Sequence, residues 1–129
     1  MFPWAAEDPC IFQDPDSKYF HILAHRTGNA SHQCADVSAH AVAASPGGPW
    51  RVTEEQPYSR DIQWEGNVTA HVQKRERPQI VFDRQGRAVA LTNGVMPGAH
   101  STPVSPGGHT GDWSYTHIQL LAPAAATWE

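Results

Sequence analysis

Short apolar runs separated by turn residues set the rhythm of this chain. "CIFQ" (10–13) and "KYFHILA" (18–24) flank "DPDS", whose Asp, Pro and Ser favour a tight turn. "SAHAVAA" (38–44) and "WRVTE" (50–54) flank a Pro-Gly-Gly turn. "DIQWEGNVTAHVQK" (61–74) reads as two short strands around Glu65-Gly66-Asn67. "PQIVF" (78–82) and "RAVALTN" (87–93) are split by "DRQG", and "WSYTHIQLL" (113–121) forms a last strand. The stretch 96–112, rich in Pro, Gly, Ser and Thr, reads as a loop, and 122–129 as a tail. Nowhere do apolar residues recur at i, i+3, i+4 and i+7 over three turns, so the pattern predicts an all-β, antiparallel protein.

The pattern also repeats. "EDPCIFQDPDSKYFHIL" (7–23) aligns without a gap on "ERPQIVFDRQGRAVALT" (76–92), at a constant offset of 69 residues. Glu7 falls on Glu76, Pro9 on Pro78, Ile11 on Ile80, Asp14 on Asp83 and Lys18 on Arg87. A repeat of this length, holding about four short strands, predicts propeller blades over 7–60 and 61–121. In each copy a Glu-X-Pro phrase opens a strand. Proline lacks an N–H and is tolerated at a strand's first residue. The acidic residues Glu7, Asp8 and Glu76 are therefore expected at one end of a channel lined by the innermost strands.

Composition narrows the function classes. A net charge of −4 provides no basic stripe for a nucleic acid. No apolar run is long enough to span a bilayer, and no basic n-region with an apolar h-region marks a signal peptide. Eight histidines make the charge sensitive to pH in the range where imidazole titrates. Cys10 and Cys34 fit either one bridge or two buried thiols. His32 and Cys34, with Cys10 or His25, match no paired-ligand spacing, so neither a metal nor another cofactor is expected. "NAS" at Asn29 and "NVT" at Asn67 are glycosylation sequons that matter only in a secreted protein.

"EDPCIF", "YFHILAH", "AHAVAASPGGPW", "RERPQIVFDRQGRAVALTNGV" and "DWSYTHIQLL" together resemble the last blades of five-bladed β-propeller proteins. These are the arabinanase, fructosidase and xylosidase group of glycoside hydrolases, in particular its family 43-like members. The resemblance implies a carbohydrate partner and an extracellular setting. It also implies three carboxylates: a first-blade aspartate as base or nucleophile, a second aspartate in a Asp-Pro phrase, and a glutamate acid at a Glu-X-Pro entrance. Asp8 matches the second and Glu76 the third. The first has no counterpart here. Five blades need roughly 350 residues, so the chain corresponds to about two, a fragment of such a propeller.

Glycoside cleavage requires one protonated and one ionised carboxyl on opposite sides of the sugar. Arg75 and Arg77 crowd Glu76 in sequence, but in a regular strand they share one face and Glu76 takes the other. They are expected to pair with Asp8 or Asp83, or to contact sugar hydroxyls. Glu7, His25, His40 and Asn93 complete the candidate substrate-binding set. The expectation is a glycoside hydrolase-like chain that binds sugar but does not cleave it alone. The alternative is a non-catalytic module that pairs through exposed blade edges with a second copy or with missing blades.

Overall fold

A computed structural model of the protein describes residues 2–27, 38–97 and 114–121. The expectations for Asn29, His32 and Cys34, for most of the 96–112 loop and for the tail lie outside these residues.

The described residues form two antiparallel four-stranded sheets. The first runs in the order β1 (Ala6–Gln13), β2 (Phe20–Arg26), β3 (Ser38–Ala43) and β4 (Arg51–Val52). The second runs β5 (Asp61–Trp64), β6 (Val68–Phe82), β7 (Ala88–Pro97) and β8 (Tyr115–Leu120). A single 3-10 turn, Glu65–Asn67, joins β5 to β6. The protein is all-β, and its two sheets are consistent with propeller blades.

The β6 strand differs from expectation. Its residues 68–71 pair with β5 and residues from 72 to 82 pair with β7, so two predicted strands are one continuous strand. Glu76 thus lies inside a paired strand rather than ahead of it. Likewise β1 begins at Ala6, ahead of Glu7, and β7 runs on through Met96 and Pro97.

A β-bulge explains how proline is accommodated there. Glu76 pairs with Gly94 and Gln79 with Thr92, so Arg77 and Pro78 together face Asn93. Glu7 pairs with His25 and Cys10 with Leu23, so Asp8 and Pro9 together face Ala24. Each bulge inserts one extra residue and relieves the ladder of a donor that proline cannot supply. The middle residue of each is left-handed, with φ of 52° at Asp8 and 54° at Arg77. The same irregularity, 69 residues apart, shows that the sequence repeat is a structural one.

This geometry has a measurable consequence. A β-branched side chain suits left-handed backbone worst. Arg77→Val is expected to cost about 1–2 kcal/mol, and Arg77→Gly distinctly less, in urea denaturation. Because the Arg77 side chain is exposed, equal stabilities for the two variants would contradict the strain.

The core forms where the sheets meet. Cys10 and Leu23 of the first sheet pack with Leu91 of the second and with Tyr58 from the connecting segment, flanked by Phe12, Ile80 and Leu121. Cys10 is a buried thiol. Equivalence by 69 places Cys10 and Leu23 on Gln79 and Thr92, whereas Ile80 and Leu91 correspond to Ile11 and Ile22. The sheets therefore stack front to back, as successive blades do, and not front to front. A second cluster, Ile62, Val72 and Val95 with Tyr115, draws one residue from each strand of the second sheet.

Candidate functional site at the paired bulges

The two bulges abut. Arg77 Nε lies 3.9 Å from Asp8 Oδ2, so the repeat-equivalent left-handed residues form an ion pair between the sheets. Glu7 and His25 are cross-strand partners on β1 and β2. One donor atom each from Glu7, Asp8 and His25 lies within 4.8 Å of the other two. His25 Nδ1 is buried with no hydrogen-bond partner. The result is an acid–acid–imidazole patch on the surface with a guanidinium at its margin. Two carboxylates and an imidazole have the donor types for a borderline divalent metal, but the Arg77 charge beside Asp8 opposes one.

Glu76 takes a different partner. Its carboxylate meets Lys74 Nζ at 3.8 Å, and its side chain is 26% exposed. Arg75 and Arg77 do not share the one face expected of them, because the bulge breaks strand alternation between residues 75 and 77. Arg75 turns inward and Arg77 outward. Asp83, the other acid proposed for them, instead holds Arg87 at 2.7 Å and caps its own turn by accepting from the Gln85 and Arg87 N–H groups.

Arg75 is not a ligand contact. It is 2% exposed and sits over the Tyr58 ring, 5.1 Å from the centroid. Its Nε donates to Asn93 Oδ1 at 2.9 Å, one terminal nitrogen to the Ser59 carbonyl at 3.0 Å, and the other to Gln119 Oε1 at 2.8 Å. All three acceptors are neutral, and burial pulls the guanidinium below its ordinary pKa. Asn93 is equally structural: 1% exposed, it also donates through Nδ2 to the Glu76 carbonyl and so closes the bulge. Neither Arg75 nor Asn93 can serve as an exposed sugar contact.

His40 belongs to another group. Its Nε2 lies 2.9 Å from His21 Nδ1, and its Nδ1 lies 3.1 Å from the Thr53 hydroxyl. Phe12 stacks on His21 with centroids 5.0 Å apart. The expected convergence of His40 with Glu7, Asp8 and Glu76 thus gives way to a histidine pair on β2 and β3. His25 does reach the carboxylates.

Tyr58 is the residue that sequence reading missed. Its hydroxyl donates to the Ala24 carbonyl at 3.5 Å, at the point opposite the first bulge, while the Ser38 hydroxyl donates to its carbonyl at 2.6 Å. Burial holds its phenol pKa well up; the Arg75 charge opposes this, and the Asp8 and Glu76 charges add to it. Tyr58 therefore touches the buried arginine and lies near enough to both carboxylates for their charges to act on its phenol. The sequence offered only an aromatic in a Pro-flanked connector, "QPYSR", with no periodicity to mark it.

Two open clefts lie elsewhere. One is lined by Trp4, Arg26, Thr53 and Glu54, with Arg26 stacked 4.1 Å over the Trp4 ring. The other is lined by Tyr19, His21, Pro49 and Arg51. No helix among the described residues is long and apolar enough to cross a membrane. No protein-family model and no curated protein matches the chain.

Proposed function

We propose that the chain is a carbohydrate-binding module of propeller type that holds a sugar at the paired bulges without cleaving it. The observation that supports this reading is the meeting of Asp8 and Arg77 beside Glu7 and His25. Carboxylates accept from vicinal hydroxyls, while a guanidinium and an imidazole donate to hydroxyl and ring oxygens. A patch of mixed sign suits a neutral polyol better than a strongly charged ligand. Binding is favoured over hydrolysis because the carboxylates of Asp8 and Glu76 each face a cation, Arg77 and Lys74 respectively. A glycosidase acid is instead set among apolar groups or beside another carboxylate.

The test is a titration of the purified protein with arabinose, xylose, galactose and fructose, followed by amide chemical shifts. Saturable binding near ~1 mM is expected for at least one sugar. Shifts should be confined to the bulges and weakened about tenfold or more in Glu7→Gln and Asp8→Asn. No saturable binding, or binding indifferent to both substitutions, would overturn the reading. On aryl glycosides the protein should be no more active than Glu76→Gln.

A further inference from the structure

Sheet edges offer unpaired backbone groups to other chains, and proteins blunt them with charge, proline, bulges or shortness. Among the described residues, three of the four edges carry such devices. β1 has a bulge, Pro9, Glu7 and Asp8. β4 is two residues long, and β5 is four residues long and carries Asp61. β8 has none of these. It is a six-residue strand, Tyr-Thr-His-Ile-Gln-Leu, without Asp, Glu, Lys, Arg or Pro, and its register against β7 is unbroken. Ile118 is 63% exposed and Leu120 80% exposed.

The repeat shows what the edge is built to receive. Ile118 pairs with Thr92 as His40 pairs with Leu23, so β8 stands in the second sheet where β3 stands in the first. In the first sheet the outer side of β3 is covered by β4, and the His40 carbonyl accepts from the Thr53 N–H at 2.9 Å. The Ile118 carbonyl holds the equivalent outward position. On the adjoining outer face, Leu120 lines up with Ala90 and Val81, and Val81 is 43% exposed.

We propose that β8 is a self-pairing edge, through which two copies of the chain join antiparallel about a two-fold axis at Ile118 to make one continuous sheet. A second copy fits for two reasons. An uncharged strand meets its own image without like-charge repulsion, which any lysine or carboxylate on it would create. The two-fold also sets Ile118 directly beside its own counterpart, an apolar cross-strand pair made from two exposed side chains, and Leu120 beside Thr116. This is an isologous contact, so it closes at a dimer. The proposal is independent of the sugar-binding reading.

Sedimentation over about 1–200 µM should show a monomer–dimer equilibrium. The double variant Ile118→Lys/Leu120→Lys should weaken it about tenfold or more while leaving the far-ultraviolet spectrum, and the urea midpoint at concentrations where the parent is monomeric, unchanged, since both side chains are exposed. The milder Ile118→Thr serves if the lysines disturb folding, and should weaken association in the same direction. Hydrogen exchange supplies the positional readout: β8 amides should gain protection as concentration rises, with those of β1 unchanged. A monomer throughout, a dimer indifferent to all three substitutions, or protection gained elsewhere would each overturn the proposal.

Discussion

Arg75→Ala is expected to lower the stability of the protein by about 3–5 kcal/mol, read as a large fall in the urea midpoint. The reason is the environment, not the charge alone. The side chain fills the space between Tyr58, Asn93 and Gln119, and its truncation leaves a cavity. It also strips donors from three acceptors: Asn93 Oδ1, the Ser59 carbonyl and Gln119 Oε1. A buried polar group left unsatisfied costs about 1–3 kcal/mol. Arg75→Lys should recover little, because an ammonium on a flexible stem cannot reach three acceptors fixed in the plane of a guanidinium. The result also separates two roles. Were Arg75 a sugar contact, Arg75→Ala would fold normally and lose only binding. A midpoint close to that of the parent would contradict the structural role.

The second large effect is expected from acid. His21, His40 and His117 are all held below the ordinary imidazole value of 6.5, chiefly by burial. Hydrogen bonding links the first two in a chain: the Thr53 hydroxyl lies 3.1 Å from His40 Nδ1, and His40 Nε2 lies 2.9 Å from His21 Nδ1. His21 Nε2, at the end of that chain, is buried with no partner. A proton arriving there finds nothing to bond with, although the Asp14 charge partly favours it. Around His40, Arg51 acts against protonation and Glu55 for it. His117 lies with its ring against the Trp64 edge, and the Arg75 charge further disfavours its cation.

The direction of the pH effect follows. Below 6.5 the unfolded chain binds protons that the folded chain refuses, so stability rises with pH. The contribution of these histidines is complete above that value and is lost as pH falls toward their folded-state values. Asp14 and Asp83 act in a separate window. Their pKa values lie below the ordinary 3.8, Asp14 chiefly through Ser17 and Asp83 through the Arg87 N–H, so their contribution is lost only in stronger acid. Urea midpoints measured from pH 7.5 to 5 should therefore fall steadily as pH is lowered. His21→Phe, which keeps the stack on Phe12 and removes the orphaned nitrogen, should flatten the slope. A midpoint constant across that interval would be incompatible with buried, neutral histidines.

Much of the fold was legible along the chain. Turn signals at "DPDS", "SPGG" and "DRQG" located the hairpins, and the lack of helical periodicity set the class. The repeat singled out the two Glu-X-Pro phrases, though as strand entrances and not as bulges. What it could not convey was that each phrase lies within a paired strand. Pattern reading assumes strict alternation, and a bulge is a break in alternation that leaves no mark in hydrophobicity. That break separates Arg75, which turns inward, from Arg77, which stays outside and pairs with Asp8 as expected. The same limit hid Tyr58, whose place depends on a connector passing between the sheets.

By itself, then, the sequence determined that the chain is made of short antiparallel strands in two equivalent units, because strand and turn preferences act over a few residues and a repeat is visible in one dimension. The tertiary structure alone decided which charges meet. Asp8 finds Arg77, Glu76 finds Lys74, Asp83 finds Arg87, and Arg75 finds no acid but three neutral acceptors. Partner choice depends on the direction in which each side chain leaves the backbone. For Asp8 and Arg77, two left-handed residues 69 positions apart set that direction, whereas Asp83 meets Arg87 within one turn.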